Sequence, residues 1–309
     1  MHQSERIIGR FSGTEKGPLF ICLGGIHGNE PAGVHAIARF FRELEAAPGL
    51  SFRGVALGLK GNLGALKRGT RFIRRDLNRI MTPETVAEIG EKSKTVLTEE
   101  WLELRELLDH IREEMEISRP DSLVLLDIHT TSADGGVFSI PADYPESLHL
   151  ALHFHVPILK GMTAGLDGTS LSFFTPSYWG VPCRAVAFEA GQNDDPQSVM
   201  RAVAAIKNGL KAAGCIPEDG MPNPEDRLLL EYAEGLPTVS ELVCVHHVHP
   251  GDGFSMRPGY VNFQAVAEGE HLADDQNGPV LAPAGGLILM PLYQSQGTNG
   301  FFLVRAVTS

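Results

Sequence analysis

Four side chains suited to metal or proton chemistry stand where runs of apolar residues end. Residues 24–33, GGIHGNEPAG, follow the run LFICL and hold His27 and Glu30 three residues apart among glycines. The run LVLLD leads into His129, and RAVAF leads into Glu189. Two histidines and one carboxylate are a usual protein ligand set for catalytic zinc, with a fourth position left for water. Zinc held in this way lowers the pKa of its water to about 7 and polarises a carbonyl. A further carboxylate, not itself a ligand, is then wanted to move protons, a role that typically contributes about 10²–10⁴-fold. Glu189 suits that role, because its apolar approach predicts a partly desolvated carboxyl with a raised pKa.

Each residue also has a plainer reading. A histidine after a strand is commonly a hydrogen-bonded structural residue, and an H-x-x-E pair can serve a turn as a cap. What favours chemistry is that two such features and a buried glutamate all fall at the ends of apolar runs.

Those runs belong to an α/β pattern. LFICLGG leads into PAGVHAIARFFRELEA, where Val34, Ile37, Phe41 and Leu44 recur at helical spacing and Pro31 suits a first turn. FRGVALGLKGN reads as a strand. TEEWLELRELLDHIREEME reads as an amphipathic helix with Trp101, Leu104, Leu108 and Ile111 on one stripe. DSLVLLDIH and RAVAFEAG are continuous apolar runs, as strands covered on both faces should be. PQSVMRAVAAIKNGLKAAG is another helix, with Gly214 as its stop. The pattern predicts an α/β fold with a mixed, mostly parallel sheet flanked by helices. In such sheets the carboxyl ends of the strands form the ligand crevice, where distant residues can meet.

The character changes after about residue 215. CIPEDGMPNPED has the composition of a linker, and one short helical stretch follows. From Thr238 the runs VSELVCVHHVH, GYVNFQAVA, GLILMPLY and FFLVRAV are short, β-like and punctuated by glycine and proline. The expected division is a catalytic domain over 1–220 and a small all-β domain over 221–309 that caps the site.

Composition narrows the partners. The chain has 309 residues, 43% apolar and 21% charged, as a packed soluble core requires. No apolar run approaches the roughly 20 residues that span a bilayer, and MHQSERIIGRFSG lacks the marks of a secretory signal; a cytoplasmic protein is expected. A formal net charge of −12 disfavours nucleic acid and anionic membrane as partners. The four cysteines are widely spaced with no C-x-x-C pair, which reads as buried apolar residues rather than a zinc cluster or disulfide framework. The stretch KRGTRFIRRDLNR, residues 67–79, carries six Lys/Arg and one Asp. Besides a solvated loop, it can supply one or two arginines to hold a substrate carboxylate and another to stabilise an oxyanion. HHVH at 246–249 sets His247 and His249 on one strand face, and LHFHV holds His153 and His155; lacking a third ligand nearby, both read as incidental or supporting.

GGIHGNE, RFIRRDLNR, DIHTTS and FEAG, in this order and at these distances, resemble the succinylglutamate desuccinylase/aspartoacylase family, a branch of the zinc carboxypeptidase-like fold. The likeness covers roughly residues 18–215. NFQAVAEGEHLA and MPLYQSQGTNGFFLV resemble that family's terminal domain more loosely. The resemblance implies one Zn2+ per chain on His27, Glu30 and His129, with Glu189 acting on the attacking water. It further implies that Arg71 polarises the scissile carbonyl and that Asn78 and Arg79 bind the substrate carboxylate. Asp76 and Asp127 would support the metal-binding histidines, Asp76 being equally suited to bracing its loop, and Tyr293 would close the pocket.

The implied activity is a zinc-dependent amidohydrolase cleaving an N-acyl amino acid or similar small amide. A metallocarboxypeptidase acting on peptide C-termini and a non-catalytic metal-binding relative are the alternatives. One departure bears on the substrate. Aspartoacylases carry a further arginine about ten residues before the catalytic glutamate, where this chain has Trp179; Arg184 lies nearer Glu189. With Tyr178 and Phe174, Trp179 suggests either a larger, more apolar substrate or core packing. The partner expected is a small molecule, and a homo-oligomer is left open.

Overall fold

The computed structural model describes residues 5–47, 49–164 and 166–307. Its first strands are β1 (Ile7–Ser12), β2 (Glu15–Gly24), β3 (Arg53–Lys60), β4 (Leu123–Thr131), β5 (Val137–Pro141), β6 (Ile158–Lys160), β7 (Cys183–Gln192) and β8 (Val239–His247). Six more follow: β9 (Ser255–Met256), β10 (Gln264–Val266), β11 (His271–Asp275), β12 (Gly278–Leu281), β13 (Gly286–Leu289) and β14 (Asn299–Ala306). Among the described residues one sheet has the order β1-β3-β2-β4-β7-β5-β6-β8-β14-β13-β10, and β12-β11-β9 form a second. The strands β3, β2, β4 and β7 run parallel, so the ends of β2, β4 and β7 open on one side.

Alternation along the central strands builds two layers. Phe20, Cys22, Val124, Leu126 and Ile128 face a core shared with helices Ala32–Glu45 and Ser198–Ala212. Leu19, Ile21, Leu23, Leu123 and Leu125 face the other core, which takes the stripe Leu104, Leu108 and Ile111 of helix Glu100–Ser118. Each such side chain, fully removed from water, contributes about 1.5–3 kcal/mol. This is why the runs are continuous rather than alternating. Trp101 packs against the same core at the edge of that stripe. It is half-buried, with Arg75 and Lys92 over its ring at 4.9 and 4.5 Å.

Two strands have no clear signature in the sequence. In β1, IIGRFS, a glycine and an arginine interrupt the apolar pattern of a strand at the sheet edge. In β5, the short VFSIP lies antiparallel beside β7 within an otherwise parallel neighbourhood. The later strands continue the sheet, because β8 pairs in parallel with β6 and β14 then pairs with β8. Phe138, Leu159 and Met162 share a core cluster with Phe302 and Val304. No helix among the described residues is long and apolar enough to cross a membrane.

Candidate active site

The turn after β2 is held open by glycine. Gly25 has φ +70°, and a Cβ on Gly28 would lie 2.1 Å from the carbonyl carbon of Ala65, so the chain folds this tightly only without side chains there. The turn buries His27 and Glu30, each about 3% exposed. His129 leaves β4 beside them, and Glu189 is its register partner on β7.

Nδ1 of His27 lies 2.9 Å from Glu30 Oε1, and Nδ1 of His129 lies 3.0 Å from Glu30 Oε2. One ligand atom from each of the three residues falls within 4.8 Å of the others. The opposite ring nitrogens meet carboxylates: His27 Nε2 is 3.2 Å from Asp76 Oδ1, and His129 Nε2 is 3.0 Å from Asp127 Oδ2. Carboxylates only accept, so at His27 the bond to Asp76 puts the N–H on Nε2 and leaves the Nδ1 lone pair facing Glu30, whereas His129 meets carboxylates through both nitrogens, its Nδ1 hydrogen-bonded to Glu30 Oε2. His27 Nδ1 is buried and makes no hydrogen bond, despite its short approach to Glu30. Acceptors converging on a carboxylate are repelled unless a proton or a cation lies between them. The donor set therefore fits a divalent ion.

The same arrangement sets the charges. Burial opposes ionisation of Glu30, but the two imidazoles outweigh it and hold its carboxyl below the usual range. Burial likewise disfavours a charged His129, yet Asp127 and Glu30 raise it well above an ordinary histidine. Asp76 is held well below the usual carboxylate range against its own burial, chiefly by His27 and then by Arg71 and Arg79. Glu189 goes the other way. Burial, reinforced by the charge of Glu30, pushes it up to about 7 against the opposing pull of His129, His27 and Arg71. Its Oε2 is buried and makes no hydrogen bond.

The basic stretch splits by function of place. Lys67, Arg68, Arg74 and Arg75 are exposed. Arg71 turns inward, with Nη1 3.2 Å from Glu30 Oε1 and Nε 3.4 Å from Asp76 Oδ2. Asn78 accepts from the Ser170 N–H at 2.7 Å through its side-chain oxygen, so the amide nitrogen is what it can offer a ligand. Arg79 donates to the Asn78 carbonyl, and burial lowers its pKa.

Comparison with known proteins bears on this arrangement. The family model described as succinylglutamate desuccinylase/aspartoacylase catalytic domain matches residues 16–198. The chain belongs to that family. A probable aspartoacylase of Nostoc sp. is 29% identical over 115 residues, 37% of this chain and 36% of that relative's length. Among solved structures, the succinylglutamate desuccinylase/aspartoacylase of Rhodobacter sphaeroides is similar with a TM-score of 0.65 at 18% identity, over 97% of this chain and 88% of the other. The product-bound ectoine utilization protein EutE of Ruegeria pomeroyi gives 0.63 at 17% identity, over 95% and 86%. At these identities the structural likeness establishes the shared fold.

In this desuccinylase/aspartoacylase chain the cavity over His27, Glu30, His129 and Glu189 is also lined by Arg71, Asn78 and Arg79. Leu292 and Gln294 line it from the C-terminal segment, but Tyr293 between them does not. The Tyr293 hydroxyl donates to the Arg257 carbonyl and accepts from the Tyr260 N–H, both at 2.9 Å, so the expected pocket-closing side chain is engaged elsewhere. Trp179 packs with Phe173, Phe174 and Tyr178 in the core beneath the sheet. Arg184, near the start of β7, reaches the carbonyls of Ala212 and Ala213 at the opposite end of the strand from Glu189. His155 pairs with Asp226, and His247 meets Asn299.

Three supporting residues have no motif to mark them. Glu100, 1% exposed, accepts from the N–H groups of Ile73, Arg74 and Arg75 and so braces the loop that carries Arg71 and Asp76. Ser170 donates to Asp127. Asn262 donates to Thr131 Oγ1 and the Asp134 carbonyl and accepts from the N–H of Met290, a residue at φ +48°. A buried glutamate at the start of an amphipathic helix reads in sequence as an ordinary surface charge.

Proposed function

We propose that the protein is a zinc-dependent hydrolase of the amide bond in an N-acyl amino acid or similar small amide. The observation that carries this reading is a metal-fit group, His27, Glu30 and His129, with an elevated, unpartnered Glu189 beside it. A zinc ion bound there would supply Lewis acidity and a water of lowered pKa. Glu189 takes a proton from the attacking water as its oxygen bonds to the acyl carbon. The same carboxyl then delivers that proton to the amide nitrogen as the C–N bond breaks, leaving a carboxylate and an amine. Arg71 donates to the carbonyl oxygen as it gains charge. The Asn78 amide and Arg79 hold the substrate carboxylate. Tyr293 has no part in this scheme.

The proposal treats residues 1–220 as the catalytic unit and 221–309 as its cap. Gln294 accepts from Asn29 Nδ2 at 2.9 Å, a bond between the cap and the metal-binding turn that favours small substrates over long peptides. The four cysteines are free, which fits the cytoplasm. A panel of N-acyl amino acids and dipeptides, assayed with and without a chelator, tests the reading. Chelator-sensitive hydrolysis of the N-acyl compounds is expected; hydrolysis confined to dipeptides would replace it with a carboxypeptidase.

A further inference from the structure

The cavity is sparing with charge. Beyond the histidines, the cations among its described lining residues are Arg71 and Arg79. Arg71 is already paired with Glu30 and Asp76. Arg79 makes no close ion pair among the described residues, feeling Asp76 only at longer range while Asp76 contacts Arg71, and its Nη1 donates to the Asn78 carbonyl at 2.7 Å. A largely buried guanidinium without an ion-pair partner is costly unless an anion joins it, and it suits one carboxylate bidentately. Among the described residues no further side-chain cation lines the cavity to receive a second carboxylate. The acids among its described lining residues are Glu30, in the metal-fit group, and Glu189 beside it, so a substrate ammonium has no partner apart from these two.

An apolar wall takes up the remaining space. Met162 and Phe302 are buried members of one core cluster, and Ile140, Leu166 and Met290 pack against it half-buried; all five line the cavity. Nearby hydroxyls are committed, Thr163 to Asp143 and Thr169 to Ser172. A charged group set directly against these five side chains would lose its water and gain no compensating bond from them. An aliphatic or aromatic group would lose only unfavourable hydration.

We infer that the amide cleaved here carries a single carboxylate, seated at Arg79, and a neutral apolar side chain seated on the wall formed by Ile140, Met162, Leu166, Met290 and Phe302. This rests on the hydrolase reading above and narrows it. The apolar preference therefore comes from Ile140, Met162 and Leu166 together with Met290 and Phe302 of the C-terminal segment, while Trp179 and Phe174 belong to the core.

The test is a substrate panel at fixed acetyl group on the zinc-loaded protein. N-acetyl-L-leucine, N-acetyl-L-methionine and N-acetyl-L-phenylalanine are expected to exceed N-acetyl-L-aspartate, N-acetyl-L-glutamate and Nα-acetyl-L-lysine in kcat/KM by at least about tenfold. Hydrolysis that favours the charged members overturns this inference and leaves the hydrolase reading standing. Hydrolysis of none of them sinks that reading instead. Calorimetric binding of the same six compounds to Glu189→Gln then decides the present point, since tighter binding of the apolar members upholds it and any other order overturns it. Leu166→Arg adds a third readout. It should shift the aspartate-to-leucine ratio of kcat/KM upward by about tenfold or more, and an unchanged ratio removes Leu166 and its wall from substrate recognition.

Discussion

Asp127 and His129 sit two residues apart on β4, so both face the same side of the sheet, and Oδ2 of Asp127 lies 3.0 Å from Nε2 of His129. The Ser170 hydroxyl donates to the same oxygen. The carboxylate fixes the ring, its tautomer and the direction of Nδ1. Asp127→Asn should therefore weaken zinc binding by about 10–100-fold, as measured by competition with a chromogenic chelator. Retention of full affinity would show that the ring is oriented by something else.

Zinc uptake should release a proton near neutral pH. His129 is held well above an ordinary histidine by Asp127 and Glu30, so in the metal-free protein it is protonated at pH 7, whereas a ligand must be neutral. Affinity should therefore rise with pH until His129 loses its proton. Titration calorimetry in two buffers of different ionisation enthalpy reads the number of protons directly, and a value near zero at pH 7 contradicts the charge assignment.

Glu189→Gln should retain zinc and lose at least about 10²-fold in kcat. It should also change how the metal-free protein responds to pH. The Glu189 carboxyl moves from an ordinary 4.5 to about 7 in the fold, so the folded state keeps a proton that the unfolded chain releases. Its contribution to stability is then present below 4.5 and lost as pH rises to 7. Glutamine removes that loss. The variant should gain up to about 3 kcal/mol over the parent at pH 8 and little at pH 4.5. Melting curves in chelator at the two pH values provide the comparison.

The two inward arginines should separate kinetically. Arg79→Ala is expected mainly to raise KM, by about tenfold or more, because a carboxylate anchor binds ground state and transition state alike. Arg71→Ala should mainly lower kcat, by about 10²–10³-fold, since it acts on charge that develops at the carbonyl. Equal losses in both parameters for both variants would assign them a shared structural duty.

Glu100→Ala strips the acceptor from three loop N–H groups. A cost of about 1–3 kcal/mol follows from leaving part-buried donors unpaired, visible as a lowered Tm. Activity at low temperature should fall as well, because the freed loop carries Arg71 and Asp76.

Much of this site is legible in the sequence because strand ends concentrate it. His129 and Glu189 follow runs that are apolar at every position, and such runs can be read as central strands without further information. His27 and Glu30 are marked by glycines that a tight turn requires. Arg71 and Arg79 are distinguishable from Arg74 and Arg75 only through resemblance, since all four belong to one basic stretch and their orientation is decided by the loop's tertiary anchor at Glu100. Tyr293 shows the limit from the other side. Its neighbours Leu292 and Gln294 reach the cavity, but one residue of register sends its hydroxyl to Arg257 and Tyr260. In the sequence Trp179 suits either a substrate contact or the core, and its three aromatic neighbours place it in the core. Nothing local in β1 or β5 announces a strand, because pairing with β3 and β7 supplies what their own composition lacks.

The hydrogen bond between Asn29 and Gln294 joins positions 265 apart. A ribosome working from the N-terminus delivers both imidazoles and both glutamates more than a hundred residues before Gln294 and Phe302 emerge. A nascent or prematurely stopped chain would thus hold its ion-seeking cluster open to bulk water, with the proposed apolar wall still lacking Met290 and Phe302. Selectivity is the last property this polypeptide acquires during its own synthesis.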